Sequence, residues 1–185
     1  MKKEASMNNL LKAGDSAPNF NFNTPWKTEQ NLFQSLEDHS VVCVFLRYHG
    51  CPVCQMEMAN LKRDIESFSD KNAKVFIVLQ SSVDTMKPLL NQSDWLLEII
   101  ADPEGKIFNQ YGVNPGGIIK YLHPSGLVAL IKATFRGFVH KKFEGKETQL
   151  PAAFIINKDQ SIKYAYYGKT ISDVPSPAQL VNELK

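Results

Sequence analysis

Cysteine is scarce in this chain, whose 185 residues contain three, at positions 43, 51 and 54. Small secreted domains that depend on disulfides carry more cysteines, and usually an even number. The count therefore excludes a disulfide-stabilised secreted framework. In a reducing compartment, two cysteines as close as Cys51 and Cys54 are typical of a catalytic, redox-sensing or metal-binding site.

Long apolar runs are also missing. No stretch approaches the roughly 20 consecutive apolar residues that a membrane-spanning helix needs. Lys2 and Lys3 stand near the start, but polar residues interrupt the chain before the apolar core of a signal peptide can form. From these two absences we expect a cytoplasmic protein.

A strong charge of either sign is absent as well. The 21 Lys and Arg residues nearly balance the 19 Asp and Glu residues, so the net charge is +2 at pH 7. Because so small a charge creates only a weak field, we expect no nucleic-acid and no membrane partner. The composition, 43% hydrophobic and 22% charged, is that of a globular protein. We expect one domain over residues 1–185, with residues 1–11 as a loose lead-in.

Two continuous apolar runs predict the centre of the fold. Residues 41–46 and 74–79 are rich in β-branched side chains, which is typical of strands covered on both faces. Between them lies a predicted helix that ends near Ser69, and Pro52 suits its first position. Its apolar face is formed by Cys54, Met58, Leu61, Ile65 and Phe68. A strand, a helix and a second strand of this kind form a right-handed parallel crossover.

The rest of the pattern completes an α/β fold. Further predicted elements are a helix over 83–90, a strand over 96–100, a helix over 102–111, a hairpin over 153–166 and a closing helix from Pro175 or Ser176. Residues 114–149 fit this order least well. We interpret them as an elaboration over the sheet, containing an amphipathic helix with Leu127, Leu130, Ile131 and Phe135 on its apolar face. The predicted fold is a central mixed sheet flanked by helices, with a helical insertion before the C-terminal hairpin.

Cys51 and Cys54 stand at the junction of the first buried strand and its helix. A helix start presents unpaired N–H groups and the positive end of the helix dipole, and both favour a thiolate. This setting commonly lowers a cysteine pKa from near 8.5 to about 7 or below. Because Cys54 heads the apolar helix face and Cys51 precedes the helix at the sheet edge, we expect Cys51 to attack substrate. Cys54 is then expected to resolve the product as an intramolecular disulfide.

Several side chains near the pair have two possible interpretations. His49 could tune the thiolate or shuttle a proton, or it could be a loop residue without a role. Arg47 could support the thiolate by its charge, or it could simply be solvated. Structural zinc needs four ligands, and the only further cysteine, Cys43, lies inside an apolar strand, so we expect no metal and a core role for Cys43. The other histidines, His39, His123 and His140, are interpreted as surface residues.

Basic residues are frequent in the elaboration. Its cations are Lys120, Lys132, Arg136, Lys141, Lys142 and Lys146, and its carboxylates are Glu144 and Glu147. A positive field near Cys51 would favour the thiolate and attract anionic substrates. An ordinary solvated helix face is the alternative, and the sequence favours it.

Four stretches resemble one known family. They are residues 14–20 (GDSAPNF), 46–54 (LRYHGCPVC), 101–105 with 111–113 (ADPEG and YGV) and 150–157 (LPAAFIIN). Over roughly residues 11–170 the chain resembles the peroxiredoxin-like redoxins of the alkyl hydroperoxide reductase and thiol-specific antioxidant family, AhpC/TSA. The resemblance implies a thioredoxin-like fold, attack by Cys51 and resolution by Cys54. It also implies a cis-proline at Pro151, whose neighbouring backbone meets the substrate.

Some positions depart from the family pattern. Peroxiredoxins carry a threonine or serine three residues before the attacking cysteine and a proline seven residues before it, where this chain has Tyr48 and Val44. The hydroxyl that helps to bind peroxide is therefore expected to be missing. Thioredoxins often have a tryptophan directly before the pair, and this chain has Gly50.

The expected function is that of a thiol-dependent antioxidant oxidoreductase. A hydroperoxide or disulfide oxidises Cys51, with Arg47, His49 and Pro151 as candidate substrate-binding residues. A reducing dithiol, such as a thioredoxin-type protein, completes the cycle, and no prosthetic group is implied. One alternative is a thioredoxin-like protein disulfide reductase without peroxidase activity, and another is a non-enzymatic metal-binding or scaffold module. The sequence does not indicate an oligomeric state.

Overall fold

A computed structural model describes residues 10–117 and 123–185 of the chain. The strands are β1 Asn21–Phe22, β2 Gln30–Asn31, β3 Ser40–Leu46, β4 Ala73–Leu79, β5 Glu98–Ala101, β6 Ala152–Ile156 and β7 Ile162–Tyr167. The helices are α1 Leu32–Leu36, α2 Pro52–Arg63, α3 Ile65–Ser69, α4 Val83–Met86, α5 Lys106–Gln110, α6 Pro124–Phe135 and α7 Pro177–Glu183. A 3-10 turn, Gln92–Asp94, precedes β5.

Five strands form the central sheet, in the order β5-β4-β3-β6-β7. The two apolar runs become β3 and β4, which pair in parallel with Val44 opposite Ile77. β5 continues the parallel half, and the hairpin β6-β7 adds the antiparallel half against β3. The predicted α/β class, with its mixed sheet, is confirmed. Among the described residues, no helix combines the length and the apolarity needed to cross a membrane.

The central strands are buried because both faces of the sheet are covered. Alternate residues of β3 point to opposite sides, so that Val42 and Val44 join one apolar cluster while Val41 and Phe45 join the other. Cys43 belongs to the second cluster and is fully buried, which raises the pKa of its thiol. Its position agrees with a core role.

The helix that follows Cys51 is interrupted, although one continuous helix was predicted. α2 ends at Arg63, and α3 begins at Ile65, because Asp64 has φ −99° and ψ 16°, outside the helical region. The predicted apolar face still faces the core, since Met58, Leu61 and Phe68 are buried. The periodicity therefore located the face correctly but did not reveal the break.

Asp102 caps α5, which begins four residues later than predicted. Its carboxylate accepts hydrogen bonds from the backbone amides of Lys106 at 2.8 Å, Ile107 at 2.8 Å and Phe108 at 3.1 Å. These amides are donors that the start of a helix leaves without intrahelical partners. The buried carboxylate therefore closes the turn that connects β5 to α5.

Removing this cap is expected to destabilise the fold. Asp102→Ala leaves buried amides without an acceptor, so the free energy of unfolding should fall by about 1–3 kcal/mol. The exposed variant Glu104→Ala, which loses only a surface ion pair with Lys106, should change it by less than about 1 kcal/mol. Urea unfolding of both variants measures the difference, and equal losses would contradict the capping role.

The helix of the elaboration packs through a different face than expected. α6 lies against α2, and it turns its small residues Gly126, Ala129 and Ala133 inward. Small side chains allow two helices to approach closely. The expected apolar face is exposed to a large extent, with Phe135 89% exposed. Periodicity found that face without showing what it packs against, and the interpretation of residues 114–149 as an elaboration over the sheet stays a prediction.

Candidate active site

The cysteine pair lies where β3 passes into α2. Cys51 is the N-cap of α2, with an extended backbone at φ −78° and ψ 124°, and Pro52 occupies the first turn. The backbone amide of Cys54 donates to Sγ of Cys51 at 3.3 Å. The sulfur thus replaces the side-chain oxygen that usually caps a helix, and it lies at the positive end of the helix dipole.

Cys51 borders a cavity of about 240 Å³ although its residue is only 1% exposed. Besides Cys51, five polar side chains line this cavity, namely Arg47, Tyr48, His123, His140 and Glu147. Apolar residues line much of the remainder, among them Val53, Leu127, Leu130 and Ile171. Cys54 is buried behind Cys51 and does not border the cavity. A small reagent that enters therefore meets the sulfur of Cys51.

The guanidinium of Arg47 connects Cys51 to the elaboration. Nη2 donates to Sγ of Cys51 at 2.8 Å, and Nη1 donates to the backbone carbonyl of Glu147 at 2.9 Å. Nη1 also lies 3.5 Å from the Glu147 carboxylate. Arg47 is 5% exposed, so this charge acts on the sulfur with little screening by water. The structure therefore places Arg47 against the sulfur instead of in solvent.

The two thiols titrate as a pair because a hydrogen bond links them. Burial raises the pKa of Cys54, but the bond to Cys51 and the charge of Arg47 outweigh it and lower the pKa to about 7. The same bond and burial raise the pKa of Cys51. The pair therefore holds one thiolate near neutral pH, and the lowered pKa belongs to the pair rather than to Cys51 alone. Arg47 and the Cys54 amide both donate to Sγ of Cys51, so a negative charge that reaches this sulfur through the shared hydrogen bond is stabilised there.

A tyrosine stands in the cavity where the family has a threonine or serine. Tyr48 takes the position of the family's threonine or serine, and its ring lines the Cys51 cavity. Its hydroxyl donates to the Glu147 carboxylate and lies 2.9 Å from Nε2 of His140. Burial and the bond to Glu147 raise the pKa of Tyr48, so the phenol stays protonated at neutral pH.

Residues 138–149, which we call the strap, cross directly over the active-site turn. The amide of Lys141 donates to the carbonyl of Gly50 at 2.9 Å, and Gln55 Nε2 donates to the carbonyl of Val139 at 3.0 Å. A Cβ atom on residue 50 would lie 2.2 Å from the carbonyl oxygen of Lys142. The strap therefore requires glycine at the position where thioredoxins often have tryptophan.

The family profile of the AhpC/TSA family matches residues 13–165. The chain belongs to the AhpC/TSA family. As a member, it is a thiol-dependent antioxidant oxidoreductase, which agrees with a cysteine pair of which Cys51 borders a cavity.

Solved structures with the same fold are peroxiredoxins. Peroxidoxin BcpB from Mycobacterium tuberculosis is 16% identical, with a TM-score of 0.63 over 94% of each chain. The reduced 2-Cys peroxiredoxin of Plasmodium vivax is 14% identical, with a TM-score of 0.67 over 94% of this chain and 80% of that one. A peroxiredoxin-like protein from Aquifex aeolicus is 20% identical, with a TM-score of 0.66 over 95% and 86%. A search of curated proteins finds no significant match.

His49 is not part of the Cys51 cavity of this AhpC/TSA protein. Its amide donates to Oγ of Ser81 at 2.9 Å, and its ring lines a separate cavity beside Trp95 and Phe138. Burial, followed by the nearby charge of Lys141, lowers the pKa of His49. The structure therefore does not bring His49 to the substrate side of Cys51, because the turn directs consecutive side chains to opposite sides.

Pro151 also differs from what the resemblance implied. No cis peptide bond occurs in the parts of the chain that the structure describes, so Leu150–Pro151 is trans. Pro151 leads directly into β6, its carbonyl accepts from the amide of Gly168 at 2.9 Å, and its ring borders another cavity together with Tyr167. The cis-proline expectation was wrong. Pro151 precedes β6 with the trans peptide bond that is usual for proline at the start of a strand.

Sequence reasoning missed three residues of the site, which are Tyr48, His140 and Glu147. His140 was interpreted as a surface residue and is indeed exposed, yet it borders the cavity, as His123 does. Of the basic residues in the elaboration, Lys120 lies outside the described residues, and the others are exposed. Within 10–117 and 123–185, no group of three or more His, Cys, Asp or Glu side chains could hold a metal ion.

Proposed function

We propose that this AhpC/TSA protein reduces small hydroperoxides, with Cys51 as the oxidised thiol and Cys54 as the resolving thiol. The observation that carries the proposal is the position of Cys51 Sγ, which borders the cavity while Arg47 Nη2 and the Cys54 amide donate to it. This arrangement provides a thiolate, an entry route and a second thiol at hydrogen-bonding distance.

The reaction follows from these parts. The thiolate of Cys51 attacks the terminal oxygen of the hydroperoxide, so an S–O bond forms while the O–O bond breaks and an alkoxide or hydroxide leaves. The sulfenic acid on Cys51 then condenses with the Cys54 thiol, which forms the disulfide and releases water. A dithiol restores the pair by thiol–disulfide exchange.

The cavity supports a small substrate over a protein disulfide. Its volume of about 240 Å³ and its apolar lining suit hydrogen peroxide or a compact organic hydroperoxide. A protein disulfide would need contact with Cys51, which the strap and α6 cover. Reduction by a thioredoxin-type protein therefore requires movement of the strap, and we place the cycle in the reducing cytoplasm.

The roles of the two cysteines can be separated by substitution. Cys51→Ser should abolish oxidation by hydroperoxide, because serine is not ionised at neutral pH. Cys54→Ser should still consume one equivalent of hydroperoxide but accumulate a sulfenic acid on Cys51. Stopped-flow kinetics and mass spectrometry after trapping with a 1,3-dione measure both outcomes.

The buried Cys43 provides a matched control. Cys43→Ala should retain peroxide reduction, because this thiol lies on the opposite face of the sheet from the pair. If Cys54→Ser turns over at the wild-type rate, Cys54 is not the resolving thiol. If the wild-type protein exchanges with a model disulfide yet reacts with no hydroperoxide, the disulfide-reductase alternative is correct.

A further inference from the structure

The hydrogen bonds around Tyr48 need one hydrogen more than a neutral phenol, a neutral imidazole and an ionised carboxylate carry together. The phenol has one hydrogen but contacts two groups, the Glu147 carboxylate and Nε2 of His140. Nδ1 of His140 lies 2.7 Å from the backbone carbonyl of Lys141. A carbonyl oxygen only accepts, so Nδ1 must carry a hydrogen.

One arrangement of hydrogens satisfies all three contacts together with the donation from Tyr48 to the Glu147 carboxylate. In it, His140 donates from Nε2 to the phenol oxygen and from Nδ1 to the carbonyl of Lys141. The cluster therefore stores one proton beyond those of a neutral phenol and a neutral imidazole, and His140 carries it.

The cluster and the reacting sulfur share one cavity. Tyr48, His140 and Glu147 border the same cavity as Cys51, and Arg47 connects Cys51 to Glu147. The remaining titratable group that lines this cavity is His123, at the start of α6. Arg47 contacts both Cys51 and Glu147, so its positive charge adjoins the sulfur and the cluster alike.

Reduction of a hydroperoxide needs such a proton. When the O–O bond breaks, the departing oxygen takes both electrons of that bond and leaves as an alkoxide or hydroxide, which are strong bases. Protonation of a leaving group by a positioned acid contributes typically 10²–10⁴-fold to a rate. Burial also keeps the Tyr48 phenol protonated at the pH where the thiolate exists.

We propose that the Tyr48–His140–Glu147 cluster delivers its stored proton through the Tyr48 hydroxyl to the leaving oxygen, a role that rests on the proposed peroxide reduction. Tyr48 gives its hydrogen to the alkoxide and recovers one from Nε2 of His140. Tyr48 is then the catalytic acid, and His140 and Glu147 are positioning residues. The cluster regains its proton when the reduced cysteine pair ionises after the disulfide has been reduced.

A comparison of leaving groups tests this role. Tyr48→Phe should slow oxidation by an alkyl hydroperoxide by about 10²–10⁴-fold. The same variant should react with an aromatic disulfide within a few-fold of the wild-type rate, because an aryl thiolate leaves without protonation. His140→Gln, which retains hydrogen-bonding capacity but no ionisable proton, should show the same selectivity to a smaller extent.

The ratio of the two rates distinguishes proton delivery from a structural role. In the wild-type protein both reactions should accelerate as the thiolate of the pair forms, with a pKa of about 7. Above that pH, His140→Gln should lower the ratio of the hydroperoxide rate to the aromatic-disulfide rate, whereas His39→Gln, outside the cavity, should leave the ratio unchanged. Equal slowing of both substrates by Tyr48→Phe, or an unchanged ratio in His140→Gln, overturns the proposal. A wild-type protein inactive with every hydroperoxide overturns the proposed function itself.

Discussion

Replacing Arg47 with methionine is expected to slow peroxide oxidation of Cys51 at neutral pH by about 10²–10³-fold. A rate loss of this size is typical when a buried hydrogen-bond donor to a reacting anion is removed. Methionine fills a similar volume but cannot donate to Sγ of Cys51, where Nη2 lies at 2.8 Å. It also leaves the Glu147 carbonyl without its 2.9 Å donor.

The sign of the pH effect follows from the charge. The hydrogen bond with Cys51 and, after it, the charge of Arg47 lower the pKa of Cys54 to about 7, so removal of the cation should raise that pKa and reduce the thiolate fraction at neutral pH. Part of the lost rate should return at higher pH, when thiolate forms without Arg47. Thiolate absorbance in the ultraviolet and the peroxide rate, both followed against pH, measure this shift.

Two other variants provide the controls for Arg47. Arg136→Met removes a guanidinium that donates to Oδ1 of Asn60 at 3.0 Å, away from the sulfur, and should leave the titration unchanged. Arg47→Lys should give an intermediate rate, because an ammonium cannot reproduce the planar fork that reaches both Cys51 and Glu147. A thiolate that still forms with a pKa of about 7 in Arg47→Met would show that the hydrogen bond within the pair and the helix start lower the pKa without Arg47.

Adding a single methyl group at Gly50 is expected to displace the strap. In Gly50→Ala the new Cβ would lie 2.2 Å from the backbone oxygen of Lys142, which cannot move without moving the chain. Overpacking of this kind typically costs about 1–3 kcal/mol of stability. The displacement also breaks the hydrogen bond from Lys141 to Gly50 and draws His140 and Glu147 away from Tyr48.

The expected result is a more accessible but less effective Cys51. Alkylation of Cys51 by iodoacetamide should become faster. Hydroperoxide reduction should become slower, because His140 and Glu147 no longer contact Tyr48 at the cavity. Gly14→Ala is a suitable control, since φ of +92° makes alanine strained there while nothing lies within 4 Å of the added Cβ. It should lower stability without changing the alkylation rate. Unchanged alkylation in Gly50→Ala would contradict the role of the strap.

The sequence predicted the parts of the site that follow from local order. Residues 41–46 are apolar enough to require a covered strand, and Pro52 with the apolar spacing from Cys54 onward requires a helix directly after it. The position of Cys51 at that helix start, and of Cys54 behind it, follows from this junction alone. Short-range geometry therefore determined the central sheet and the placement of the two sulfurs.

Residues distant along the chain were not predicted to meet. Glu147 is 100 positions from Arg47, and His140 is 92 positions from Tyr48, yet hydrogen bonds join both pairs. Nothing in the local pattern around His140 distinguishes it from an exposed histidine. Gly50 was the one local signal, since a glycine where thioredoxins often have tryptophan indicates that another segment approaches closely.

By itself, the amino-acid sequence determined an α/β chain with a paired cysteine site at a strand–helix junction, because apolar periodicity and helix-start chemistry act over a few residues. The tertiary structure decided the rest. It placed the strap across Gly50, enclosed Cys51 in a cavity, and brought Glu147 and His140 to Arg47 and Tyr48. These contacts depend on where residues 114–149 return to the active-site turn. The packing of α6 on α2 decides that position, and no local sequence pattern does.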